Sequence, residues 1–202
     1  MGMETFARHF HKKTPLYHEL KQFYFEITRS NLQGTLDAIK AYGPDCRIKV
    51  INFLDDVAFK GRPMISPARW VQDFLPLYKE LTRMIHDAGC YAQIHTDGDV
   101  TELVPAFQAA GFDALQGWEG GCDPVFINDH FPDFIVVGFG DVSQVLPFGT
   151  QEHVRTHVRE LIEIFKENRH FILGPSTVVF KGMPFENVVM FLQAAHQFGR
   201  YE

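Results

Sequence analysis

The residues best suited to chemistry lie in Ile94-His95-Thr96-Asp97-Gly98, where an imidazole and a carboxylate flank one threonine. Residues two apart on an extended chain point to the same side, so His95 and Asp97 converge if that geometry persists to the end of the segment. Such a pair serves as metal ligands or as a proton-transfer couple. The competing reading makes Asp97 the cap of a helix beginning near Val100 and His95 a hydrogen-bonded core residue. Asp55 and Asp56 are candidate catalytic acids at the end of an earlier apolar run. Neighbours on a strand face opposite ways, so one of the two enters the site. Asp55 is in phase with Ile51 and Phe53, Asp56 with Asn52 and Leu54, and the alternation does not choose between them. Glu119 terminates the run Ala114–Trp118 and is a third acidic candidate, set against the plain alternative of a surface glutamate.

Other residues carry weaker signals. Trp118 is placed to wall a ligand pocket, although aromatic core packing is the commoner role. Cys122 lies just beyond Glu119 and is either a thiolate ligand or an ordinary thiol. Gly120-Gly121 is too short for a phosphate loop, and neither GxGxxG nor GxxxxGK[ST] occurs, so no nucleotide site is indicated. His9, His11 and His18 read as solvated, and Asp141 as a cap for the segment that follows it.

Strands and helices must position these side chains. Apolar runs at Ile48–Leu54, Tyr91–His95, Ala114–Trp118, Phe134–Gly138 and Phe171–Leu173 read as strands buried on both faces. Helical periodicity covers Pro15–Tyr42, Pro67–Ala88, Val100–Ala110, Gln151–Asn168 and Glu186–Phe198, with a short stretch near Pro124–His130. Strands alternating with helices imply right-handed crossovers and a parallel sheet. Polar or glycine-containing segments follow the strands: Asp55-Asp56, Asp97-Gly98-Asp99, Glu119-Gly120-Gly121, Gly140-Asp141 and Pro175-Ser176-Thr177. In parallel α/β folds that end of the sheet binds ligands, so these segments share one mouth.

Composition narrows the class. With 46% hydrophobic and 22% charged residues in a chain of 202, this is a globular protein with room for a sizeable core, one rich in its 20 phenylalanines. A net charge of −6 without a Lys/Arg cluster argues against a nucleic-acid surface, and against a role on a membrane surface. No apolar run approaches the roughly 20 residues of a membrane span, and Met1-Gly2-Met3-Glu4 opens no signal sequence, so a cytoplasmic location is expected. Cys46, Cys90 and Cys122, odd in number and without CxxC spacing, read as reduced thiols. No linker or repeat is visible, and one domain over 1–202 is expected. The length falls short of the roughly 250 residues of a complete (β/α)8 barrel.

Several segments together resemble the uroporphyrinogen decarboxylase superfamily, which includes the decarboxylase and the cobalamin-linked methyltransferases. They are Phe53-Leu54-Asp55-Asp56-Val57-Ala58 with Ile65-Ser66-Pro67, Ile94-His95-Thr96-Asp97-Gly98, Gly111-Phe112-Asp113-Ala114-Leu115, Gly138-Phe139-Gly140-Asp141, and Phe171-Ile172-Leu173 through Met183-Pro184-Phe185-Glu186-Asn187. Their order and spacing match from about Asp45 to Gly199. The resemblance implies an α/β fold of the (β/α)8 TIM-barrel type, represented by about its last five β/α units. The first three strands of such a barrel are then absent, and the chain is a truncated product, a reduced family member, or a half closed by another chain. An open sheet edge and an uncovered apolar interior argue for a partner, as a homodimer or a complementing chain.

The departures from the family pattern separate its activities. The resemblance to the decarboxylase lacks the arginine-rich segment that would hold a multiply anionic porphyrinogen, and sets Thr177 near that enzyme's histidine and Asp56 near its serine. The methyltransferase pattern is His-x-Cys with a second cysteine near Ser176 or Thr177, holding zinc. Here the histidine is His95 and Asp97 replaces the first cysteine, while Glu119 lies near an acidic residue available to the metal. The resemblance thus implies zinc held by His95, Asp97 and Glu119. Ser176 and Thr177, with Trp118 as the candidate pocket wall, are the expected cofactor-binding positions. An oxygen-rich set of this kind suits polarising a methoxy compound or alcohol better than tuning a thiolate. The favoured expectation is a methyltransferase acting on a small-molecule substrate, with a corrinoid supplied by a partner protein. The alternatives are the decarboxylase itself and a non-catalytic barrel fragment or assembly subunit.

Overall fold

The structure, a computed structural model, describes residues 3–119 and 121–200. Met1 and Gly2 of the opening segment, and Gly120 of the strand-end segment Glu119-Gly120-Gly121, lie outside the described residues. The chain divides into two compact units, Met1–Ile48 and Lys49–Glu202. No change of composition marks that division in the sequence.

The first unit contains α1 (Met3–Lys12) and α2 (Pro15–Tyr42). Thr14 caps α2 by accepting the Tyr17 N–H at 3.4 Å, and Pro15 takes a first-turn position where its missing N–H costs nothing. Phe10 meets Tyr17 edge-to-face at 5.3 Å. His11 and His18 are exposed, as expected, but His9 is half-buried, with Nδ1 2.8 Å from the Thr14 hydroxyl.

The second unit runs β1 (Val50–Leu54), β2 (Ala58–Phe59), β3 (Arg62–Pro63), α3 (Pro67–Asp73), α4 (Leu75–Asp87), β4 (Tyr91–His95), α5 (Val104–Ala110), β5 (Ala114–Trp118), α6 (Pro124–His130), β6 (Ile135–Gly140), α7 (Val145–Phe148), α8 (Gln151–Phe165), β7 (Phe171–Pro175) and α9 (Phe185–Phe198). Five strands form one parallel sheet in the order β1-β4-β5-β6-β7, while β2 and β3 make a separate antiparallel hairpin. Spatial order follows chain order, with helix between successive strands. This is the one-way winding of a barrel wall, without the reversal of a doubly wound sheet. The expected β/α-barrel architecture, in five strands, is what the chain adopts.

Several ends differ from the sequence reading by two or three residues, as β1 starts at Val50, β6 and β7 run on to Gly140 and Pro175, and α8 stops at Phe165; two helices differ more. The helix expected over Pro67–Ala88 is broken at Phe74 (φ −122°), because Pro76 has no N–H to continue the hydrogen-bond ladder. The helix expected from Val100 starts as a 3-10 turn, Thr101–Leu103, and becomes α5 only at Val104. The hairpin β2–β3 and the single turn α7 are too short for periodicity to reveal.

The two faces of the sheet differ. In β4, Ala92 and Ile94 are fully buried while Tyr91, Gln93 and His95 alternate with them on the opposite face. Register pairs Phe53 with Ile94, and Phe53 packs edge-to-face on Tyr78 of α4 at 5.7 Å, so this row faces the helices. Trp70 stacks on Tyr78 at 5.5 Å and meets Phe107 of α5 at 5.2 Å. A second aromatic group joins Trp118, Phe139, Phe165 of α8 and Phe171, with centroids 5.7, 5.7 and 4.5 Å apart in turn. Phe53, Phe107, Phe139, Phe165 and Phe171 thus help join helix to sheet. No helix among the described residues is long and apolar enough to cross a membrane.

Candidate functional site

His95 ends β4 on the face opposite Ile94, directly beside Leu54 of β1 and Gln116 of β5. The two residues after β4 are held by hydrogen bonds to the neighbouring strand ends. Thr96 N–H donates to the Gln116 carbonyl at 3.2 Å, and the Thr96 hydroxyl accepts the Val57 N–H at 3.0 Å. The Asp55 N–H donates to the His95 carbonyl at 3.0 Å, so the ends of β1 and β4 are laced together. Asp97 therefore returns to the His95 side, with Oδ1 3.9 Å from His95 Nε2.

The lacing also settles the two aspartates. Asp55 continues the helix-facing row of Ile51 and Phe53, and its carboxylate accepts the hydroxyl of Tyr78. Asp56 turns the other way, and its Oδ1 accepts the Asp97 N–H at 3.1 Å. Ligand atoms of Asp56, His95 and Asp97 lie within 4.8 Å of one another. Asp97 Oδ1 is buried without a hydrogen-bond partner. Partial burial raises the Asp97 pKa above its ordinary value; the neighbouring His95 opposes that shift and Asp56 adds to it. An orphaned carboxylate oxygen beside an imidazole nitrogen and a second carboxylate is a donor set suited to zinc or another divalent cation.

Glu119 is placed differently. It is buried, and its Oε1 accepts the Gly98 N–H at 2.9 Å. Gly98 has φ +90°, and a Cβ there would lie 2.7 Å from the Phe59 carbonyl oxygen, so the turn demands glycine. The structure thus assembles Asp56, His95 and Asp97, with Glu119 holding the turn after Asp97. The capping role weighed for Asp97 goes unfilled: the 3-10 turn and α5 have Val100 and Leu103 at their N-cap positions, without a side-chain cap, and Asp99, just before them, accepts the Thr101 N–H at 3.1 Å. Asp141 caps as expected, accepting from Ser143 and Gln144 at 2.7 and 2.8 Å.

The remaining candidates lie around this cluster. Trp118 is fully buried and stacked on Phe139, within the aromatic layer that reaches α8. Its inward or outward sense is reset by a register irregularity between Gln116 and Trp118, where Gly117 takes φ +114°. A Cβ on Gly117 would stand 2.5 Å from the Thr96 carbonyl oxygen and 3.3 Å from His95 Nδ1. Ser176 is fully buried after β7; its N–H donates to the Gly140 carbonyl at 2.9 Å and its hydroxyl oxygen has no hydrogen-bond partner. Thr177 is half-buried beside it. Cys122 is buried, with Sγ 3.7 Å from both the Gly98 carbonyl and Asp99, and burial pushes its thiol up to about 11, which keeps it protonated near neutrality.

Gln116 went unremarked in the sequence. Its amide stands between His95 Nδ1, which it meets through Oε1, and the Ser176 carbonyl, to which Nε2 donates at 3.2 Å. An amide has no titration or strong metal affinity to single it out, so only its cross-strand position beside His95 could have drawn attention to it.

Fold and site together define a barrel-type parallel α/β protein whose strand C-termini carry a histidine–carboxylate cluster. The family model for uroporphyrinogen decarboxylase (URO-D) matches residues 49–198, and the chain belongs to that family. Among curated proteins, a methylated-thiol–coenzyme M methyltransferase of Methanosarcina mazei is 28% identical over 139 residues, covering 66% of this chain and 34% of that protein. Among solved structures, a methyltransferase from Methanosarcina mazei superposes with a TM-score of 0.74 at 17% identity, covering 99% of this chain and 55% of that one. The chain thus spans about a third and about half of the lengths of these two proteins. The matched region begins at Lys49, the first residue of the second compact unit.

Proposed function

We propose that this chain is a methyltransferase-type member of its family, in which Asp56, His95 and Asp97 hold zinc and a methyl group passes between a small oxygen-bearing substrate and a corrinoid carried by a partner protein. The observation that carries the reading is the convergence of three ligand atoms within 4.8 Å, at a place where Asp97 Oδ1 lies unpartnered 3.9 Å from His95 Nε2. The activity named for the relatives supports methyl transfer over decarboxylation. Zinc, when bound, would polarise an oxygen of a methoxy compound or alcohol.

The chain's own residues set the conditions for that chemistry. Asp56 holds the Asp97 backbone in place, so the two carboxylates stay on one side of His95. Glu119 fixes Gly98 and prevents the segment after Asp97 from swinging away. Exposed Leu54, at the end of β1, and Val178 and Phe180, beyond the end of β7, offer an apolar rim for the carrier.

Zinc titration of the purified chain with metal quantification tests the assignment. About one zinc per chain is expected, with affinity lowered at least ~10-fold by His95→Ala or Asp56→Asn. A folded chain that binds no zinc overturns the metal assignment. Consumption of cob(I)alamin with methanol as donor tests the reaction, and failure of a panel of methoxy and alcohol donors in the zinc-loaded protein overturns the substrate class.

A further inference from the structure

The hydrogen bonds of Gln116 determine which nitrogen of His95 carries its proton. A backbone carbonyl has no proton to give, so the side-chain atom facing the Ser176 oxygen at 3.2 Å must be the amide NH2. That leaves the amide oxygen toward His95 Nδ1. An amide oxygen only accepts, so Nδ1 must be the protonated nitrogen. In the neutral ring the lone pair is then on Nε2, the nitrogen that faces Asp97 Oδ1 at 3.9 Å. Free imidazole side chains in water favour the opposite tautomer, so the environment imposes this one. The ring is also restrained by Gly117, where a side chain would approach Nδ1 to 3.3 Å.

We propose that Gln116 is a positioning residue that locks His95 with Nδ1 protonated and Nε2 open to the metal, and that the Ser176 carbonyl is the anchor that sets the amide's orientation. The assignment rests on the zinc reading for its purpose, but not for its geometry. It links β7 to the ligand on β4 through β5, so the residue after β7 contributes to metal affinity through its main chain. His95 is half-buried and Ser176 fully buried, which keeps water from substituting freely for the amide.

Ring-15N-labelled histidine in the full chain, without metal, reports the tautomer directly, with the His95 resonances assigned by their loss in His95→Gln. The expected wild-type signature is protonated Nδ1 and unprotonated Nε2. Gln116→Leu should abolish that signature and weaken zinc binding by about 10- to 100-fold. Gln116→Glu, which restores an acceptor at Nδ1, should keep the signature. An Nε2-protonated ring in the wild type, or a folded Gln116→Leu chain with unchanged tautomer, overturns the proposal. If the Nδ1 signature is present and depends on residue 116 while zinc does not bind, the positioning role stands and the metal reading falls.

Discussion

Glu119 offers a sharp separation between holding the site together and binding a metal. Its carboxylate is buried and accepts the Gly98 N–H at 2.9 Å, and Gly98 holds φ +90° in a turn where an added Cβ would lie 2.7 Å from the Phe59 carbonyl oxygen. Glu119→Ala leaves a buried N–H without its acceptor, which costs about 1–3 kcal/mol. Emptying the space of the side chain adds about 1 kcal/mol. The expected total is about 2–4 kcal/mol, and with a urea m-value of about 2–3 kcal/mol per molar the midpoint falls by roughly 1 M. Glu119→Gln keeps an acceptor oxygen and loses only charge assistance, so its cost is about 1 kcal/mol or less. Tryptophan fluorescence follows the transition, since Trp118 adjoins the substituted residue. Zinc affinity in Glu119→Gln should stay within about 3-fold of wild type, because the charged ligands Asp56 and Asp97 are intact. A Glu119→Gln chain as stable as wild type with zinc affinity reduced more than about 10-fold would refute the reasoning and make Glu119 a ligand.

Asp55→Ala should behave as the converse of Asp56→Asn: it removes the acceptor of the buried Tyr78 hydroxyl, lowering stability by about 1–3 kcal/mol in urea unfolding while leaving zinc titration unchanged. Loss of zinc binding in Asp55→Ala would place the wrong aspartate in the cluster. His157, half-buried against the Phe139 carbonyl at 2.9 Å, is held below the ordinary histidine pKa of 6.5 chiefly by burial. Below 6.5 the unfolded chain therefore binds more protons than the folded one, and stability falls as pH drops from 6.5 through the folded pKa. Urea midpoints at about pH 7.5 and about pH 5.5 should differ less in His157→Gln than in wild type, and an equal pH dependence would contradict this.

The alternation of apolar strand and helical periodicity located the sheet strands of the second unit to within a few residues. The expected burial on both faces holds for β5, whereas the edge strands β1 and β7 leave Val50, Leu54 and Ile172 exposed, so an apolar run marked the strands without fixing how far each is covered. Helix continuity was less legible. Pro76 broke one helix where the apolar spacing ran on, and the 3-10 turn at Thr101–Leu103 was absorbed into its neighbour. The division at Ile48 left no trace in composition, because it is defined by which parts of the chain pack together.

For the site, local sequence determined that His95 and Asp97 belong together, since a two-residue step on an extended chain fixes their common side. It could not choose between Asp55 and Asp56, which differ only in phase. The choice was made by Tyr78 on one face and the Asp97 N–H on the other, both distant in sequence. Nor could it separate Glu119 from the metal-facing set, because the Gly98 N–H that occupies Glu119 comes from a neighbouring strand end. Gln116 was invisible for the same reason: its amide gains meaning only between His95 and Ser176, on strands brought side by side by the parallel sheet. Sequence determined which chemical groups reach the mouth. Tertiary structure decided their partners, because hydrogen bonds between strand ends depend on register and facing, and those are set across the sheet.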